Sequence, residues 1–171
     1  MSEVIALQIG ESFVGDGVNA AHINTVLGDR SGPAGVAWAT ALASPSAGHV
    51  PFVAILQPSL PVKPITLFVT KSAPEGDVHG NMIWGPAQAG VAAGVADAVA
   101  DGIIPESATQ TAALIAAVWV NPGADDADAV YVNNRRATAT ALRNGATGEP
   151  ALERILAARH HPSNPFYTSP D

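Results

Sequence analysis

The sequence predicts a mixed α/β fold, and three observations carry that prediction. β-type runs crowd the first half of the chain around a single helical segment. Alanine-rich segments with helical spacing fill most of the second half. Between those helices lies one continuous apolar run, Ala112 to Val120, of the kind that a buried strand carries.

The elements follow in order. Val4 to Ile9 is the first strand candidate. Val14-Gly15-Asp16-Gly17 is a turn signal, weak as a phosphate cradle, and it feeds a second strand from His22 to Leu27. Alternation there puts His22 and Asn24 on one face and Ile23 and Thr25 on the other. Gly32-Pro33 opens a helix over Ala34 to Ala43, with Pro33 suited to the first turn. Pro51 to Leu56 and Ile65 to Lys71 read as neighbouring strands, separated by a turn that Pro58, Pro61 and Pro64 punctuate. Gly85-Pro86 starts a helix in which Val91, Val95 and Val99 form one apolar stripe, with Ala92 and Ala98 beside it. Gly102 and Pro105 end it. Asp125, Asp126 and Asp128 complement the N-terminus of a helix that Val130, Ala137, Ala141 and Leu142 carry to Gly145. A last helix, Pro150 to Ala158, precedes a tail rich in Pro, Ser and His. No repeat and no long linker divides the chain, so residues 1–171 read as one domain, with a core over residues 3–160 and a tail after it.

Composition excludes several classes of function. Hydrophobic residues are 47% of the 171 and charged residues only 13%, so part of the surface is expected to be covered in an oligomer. A net charge of −7 argues against nucleic-acid binding, and Arg135-Arg136 reads as a solvated helix face, not a phosphate site. Without cysteine there is no disulfide framework, no thiolate catalysis and no Cys-based metal site. The N-terminus lacks the basic and apolar regions of a signal peptide, and no apolar run approaches the ~20 residues of a membrane span. A soluble, cytoplasmic protein with no membrane or nucleic-acid partner is expected.

There is no Walker A loop, no G-x-G-x-x-G after a strand, no H-E-x-x-H and no G-x-S-x-G. His22 is the side-chain type that exchanges a proton near neutral pH, although a hydrogen-bonded polar-face histidine fits the same spacing. Lys63 and Lys71 are the only lysines. Lys71 ends an apolar strand, where it either needs an acceptor nearby or reaches solvent. The Gln88 amide serves either a ligand or the helix end. His49 and His79 fall in loop-like segments and read as solvated, and the adjacent His160-His161 has no matched metal ligands.

Together the motifs say more than any one alone. Val14-Gly15-Asp16-Gly17, Ala21-His22-Ile23, Leu60-Pro61, Lys63-Pro64, Lys71, Gly85-Pro86-Ala87-Gln88, Gly102-Ile103-Ile104-Pro105, Gly148-Glu149-Pro150 and His161-Pro162 make the chain resemble the formaldehyde-activating enzyme family over nearly its full length. The resemblance implies a two-layer α/β sandwich with a left-handed βαβ crossover, like the second domain of a small-ribosomal-subunit protein. It also implies a cytoplasmic homopentamer with pterin sites between subunits. The implied activity is that of a hydro-lyase of one-carbon metabolism, serving methylotrophy and formaldehyde detoxification. It condenses formaldehyde with tetrahydromethanopterin to 5,10-methylenetetrahydromethanopterin and water. The pterin is a co-substrate, and neither a covalently bound cofactor nor a metal is implied.

The family's proton donor falls on His22, and its substrate contacts fall on Asn24, Val53, Lys71, Ala73 and Gln88. Val53 replaces a family leucine, Asn24 an aspartate and Ala73 a threonine. These departures imply a divergent paralogue and leave a second reading, a non-catalytic or weakly catalytic protein that binds or senses a pterin or formaldehyde adduct. The chemistry explains what is at stake. Formaldehyde and a secondary amine form a carbinolamine, whose loss of water benefits from a proton on the leaving hydroxyl. A positioned histidine supplies typically ~10²–10⁴-fold, and the remainder is orientation of the pterin. Asn24 supplies no charge beside His22, so weaker acid assistance is expected.

Overall fold

The computed structural model describes residues 5–170. The chain enters at β1 (Gln8–Val14), which pairs along its whole length with β2 (Ala21–Asp29), Gln8 facing Leu27 and Val14 facing Ala21. The first strand therefore lies later than the expected Val4 to Ile9, of which Val4 is outside the described residues. Its inward positions are Gly10 and Ser12 while Ile9 and Phe13 face outward, so hydropathy gives an inverted signal there.

Helix α1 (Pro33–Ala43) follows, with Pro33 in its first turn as expected. The expected strand from Pro51 to Leu56 is two short ones, β3 (Pro51–Val53) and β4 (Ile55–Gln57). β4 turns back on β5 (Leu60–Pro61), while β3 pairs antiparallel with β6 (Ile65–Thr70), the neighbour the sequence predicts. Helix α2 (Gly76–Met82) was not legible and runs through a π-helical turn, Ile83–Ala87, into α3 (Gln88–Ala100). Gly76 and Gly80 mask its pattern. His79 within it is buried, not solvated. The Glu75 N–H donates to its Nδ1 at 2.9 Å, so Nε2 carries the hydrogen and donates to the Val120 carbonyl at 2.9 Å.

β7 (Ala112–Trp119) is the middle strand of a five-stranded mixed sheet ordered β1-β2-β7-β6-β3. It is antiparallel to β2 and parallel to β6. Cover on both sheet faces, from α1 on one and α3 on the other, accounts for its unbroken apolar run. Helix α4 (Ala127–Thr147) starts at Asp126, whose Oδ1 accepts the Ala129 N–H at 3.0 Å. It passes the expected stop at Gly145 and ends at Gly148, whose left-handed φ of 72° terminates the helix. α4 covers the sheet face that carries Ile23 and Ala116, and α3 packs on α4. The two helices approach closely at Gly90 and Gly94, where a Cβ would meet the Tyr131 and Arg135 carbonyl oxygens at 2.5 Å. Arg135 is not simply solvated. Its guanidinium donates to both Asp97 carboxylate oxygens at 2.6 and 2.8 Å, tying α4 to α3, and holds that carboxyl below its ordinary range.

The Gly28 side of β2 meets Ala34 of α1, so α1 covers one end of the opposite face and leaves the His22 end open. Helix α5 (Leu152–Ala158) buries none of its residues. After it, β8 (Ser163–Asn164) and β9 (Tyr167–Thr168) form a small hairpin. Among the described residues no helix is long and apolar enough to cross a membrane.

Candidate functional site

The site grows from the uncovered face of three adjacent strands. Alternation along β2 sends His22 and Asn24 to that face, as the sequence predicts, while Ile23 and Thr25 are buried on the other. Register then fixes their neighbours. Phe13 on β1 and Trp119 on β7 flank His22, and Glu11 on β1 and Ala117 on β7 flank Asn24. Lys71 enters from the end of β6, where its backbone N–H donates to the Val118 carbonyl at 2.9 Å.

These residues meet in space. Glu11 Oε1 lies 2.9 Å from His22 Nε2, a bond that fixes a hydrogen on that nitrogen. The other ring nitrogen, Nδ1, is 3.4 Å from Lys71 Nζ, which also lies 3.5 Å from the His22 carbonyl oxygen. His22 is therefore held between a carboxylate and an amine. Asn24 supplies no charge here, but Glu11, directly across from it, brings a carboxylate to His22. Burial holds the Lys71 ammonium below the ordinary lysine range, with the Glu11 charge partly opposing that shift. Lys71 is half-buried, so the solvent-reaching reading gives way to the one that needs an acceptor.

A cavity of about 730 Å³ opens over this cluster. Glu11, His22, Asn24 and Lys71, with Ser163 and Asn164 from the tail, form its polar part, and Phe13, Trp119 and Phe166 its aromatic walls. Phe166 reaches it from the hairpin turn and meets Trp119 edge-on, with ring centroids 6.0 Å apart. Neither Glu11 nor this hairpin wall carries a signal in the sequence; only strand register and the return of the tail bring them here. Chemically, the arrangement places a proton-carrying ring and an amine beside aromatic walls in one cavity.

The model of the formaldehyde-activating enzyme family matches residues 9–167. The chain belongs to this family. It is similar to the 5,6,7,8-tetrahydromethanopterin hydro-lyase of Methanosarcina barkeri, 36% identical over 97% of this chain and 93% of the relative. It is also similar to the bifunctional enzymes Fae/Hps of Methanosphaera stadtmanae, 37% identical, and Methanococcoides burtonii, 40% identical. Those matches cover 93% and 86% of this chain but only 39% and 37% of the relatives, so the chain spans about two fifths of their length.

In this family member the six expected site residues fall into two groups. His22, Asn24 and Lys71 line the one cavity. Val53, Ala73 and Gln88 do not line it. Val53 lies on β3, opposite Leu67. Gln88 is buried at the start of α3, and its Oε1 accepts the Ile55 N–H at 2.5 Å. Its amide oxygen thus serves the backbone of β4, which is neither of the two roles expected, a ligand or the helix end. Ala73 is exposed, beside the loop at Gly48.

Proposed function

We propose that this family member condenses formaldehyde with tetrahydromethanopterin, releasing water, with His22 as the proton donor. The observation that carries this reading is the Glu11–His22–Lys71 cluster at an aromatic-walled cavity. Glu11 fixes the orientation of the ring through Nε2. His22 protonates the hydroxyl that leaves the carbinolamine. Lys71 orients the pterin, with Asn24 beside it. Val53 and Ala73 lie outside the cavity of their own chain and are proposed to meet the pterin of a second subunit, while the buried Gln88 acts through the β4 backbone that it holds. The test is the rate of methylene-pterin formation above the spontaneous background. The expected result is acceleration by the parent that His22→Ala removes, and a parent that leaves the background unchanged overturns the reading.

The inter-subunit site requires an oligomer, for which we propose the homopentamer. Helix α1 supports it: the helix carries no charged residue and leaves Val36 67% exposed. A helix apolar all round ordinarily finds a covering surface. Light scattering checks this, and a monomer at micromolar concentration contradicts it. The same reading takes the chain as one cytoplasmic domain, two-layered, with a left-handed crossover from β6 through α3 to β7.

A second reading is favoured by Asn24 and Ala73, which lack the carboxylate and hydroxyl expected there. In it the protein binds or senses a pterin or its formaldehyde adduct without useful turnover. Calorimetric titration with the pterin separates the two: binding without acceleration supports sensing.

A further inference from the structure

We infer that Lys71 is itself a formaldehyde-capturing amine, positioned against His22 so that one proton shared by the pair generates the nucleophile and the acid together. The choice of formaldehyde as the aldehyde rests on the function proposed above; the placement of the amine does not.

Four observations support the assignment. Lys71 Nζ lies 3.4 Å from His22 Nδ1, a contact that a small side-chain movement tightens to proton-transfer distance. No carboxylate among the described residues pairs with Lys71, because Glu11 bonds the far side of the imidazole instead. Lys71 lines the cavity, half-buried, whereas Lys63 is exposed and donates to Gln110 Oε1 at 2.8 Å. Burial also lowers the basicity of the Lys71 amine, which raises the share of its uncharged form.

The chemistry closes on these groups. A proton moves from the Lys71 ammonium to Nδ1, leaving a neutral amine and an imidazolium whose charge Glu11 stabilises through Nε2. The Nζ lone pair attacks the formaldehyde carbon, and the carbonyl π pair moves onto oxygen. The imidazolium protonates that oxygen, and the attacking nitrogen returns a proton to Nδ1, giving a carbinolamine on Lys71. The nitrogen lone pair then expels the hydroxyl, which leaves as water with the Nδ1 proton. Overall, the free amine, imidazolium and formaldehyde become a protonated imine, neutral imidazole and water. A ligand amine can attack the imine carbon and expel Lys71 as the amine, which carries the carbon onward.

The experiment uses the whole chain with formaldehyde and cyanoborohydride and no pterin, followed by peptide mass mapping. Reduction converts the imine to N-methyl-lysine, so each captured carbon adds one methylene unit. With only two lysines in the chain, Lys63 is an internal reference for an ordinary exposed amine. Lys71 is expected to be methylated about tenfold or more faster than Lys63, and His22→Gln is expected to bring the two rates together. Equal labelling in the parent overturns the inference without any variant, and so does a preference that survives His22→Gln. Because no pterin is present, failed capture beside an intact His22-dependent pterin rate removes the covalent step alone. Selective capture without pterin turnover removes the hydro-lyase reading alone.

Discussion

Glu11 and His22 lie on neighbouring antiparallel strands, two residues out of direct register, and meet with Oε1 2.9 Å from Nε2. Glu11 faces Asn24, so the carboxylate reaches His22 diagonally. Glu11→Gln keeps an acceptor but removes the charge. The expected loss is about tenfold in pterin-dependent rate, part of the ~10²–10⁴ that a general acid supplies. Asn24→Asp is expected to add little rate. It sets two carboxylates directly opposite one another and costs about 0.2–1 kcal/mol. Rates and urea unfolding of both variants check this, and an Asn24→Asp rate well above the parent would contradict it.

Lys71 works against stability at neutral pH. Its folded-state pKa lies below the ordinary 10.5 because burial disfavours the charged form. Between that lowered value and 10.5 the unfolded chain binds more protons than the folded one, so stability rises with pH across the window. Lys71→Met is therefore expected to be more stable than the parent at neutral pH, with the difference shrinking towards alkaline pH, while activity is lost. Urea unfolding from neutral to alkaline pH measures both trends.

Gly94 is where α3 and α4 touch. Gly94→Ala gains about 1 kcal/mol of helix propensity. It also drives a Cβ to 2.5 Å from the Arg135 carbonyl oxygen, and backbone cannot swing aside as a side chain can. Overpacking of this kind costs typically about 1–3 kcal/mol and outweighs the gain. A lowered urea midpoint with an unchanged slope is the expected observation.

Phe166 tests the hairpin wall. It is 80% exposed and touches the body of the domain through Trp119, so Phe166→Ala should leave the fold intact. Loss of an aromatic contact to a planar ligand is worth about 0.5–1.5 kcal/mol, which is expected as a several-fold rise in KM with kcat retained. An unchanged KM places the ligand elsewhere in the cavity.

Much of the scaffold was legible because its signals are local. Alternation put His22 and Asn24 on one face, the Val91 and Val95 stripe marked α3, and Asp126 opened α4. β1 was displaced because its buried positions are Gly10 and Ser12, whose small side chains carry no hydropathic signal. α2 was lost because its glycines read as loop, and with it the burial of His79. The family motifs pointed to His22 and Lys71, but no spacing along the chain links residues 22 and 71.

What the sequence by itself determined was the set of side chains and the face each would take, since these follow from periodicity within a single element. The partnership of Glu11 with His22, the approach of Lys71 Nζ to Nδ1, and the wall that Phe166 makes with Trp119 were decided by tertiary structure. Each depends on strand register or on the return of a distant segment. Those follow from how all the strands and helices bury their apolar faces together, which no local pattern encodes.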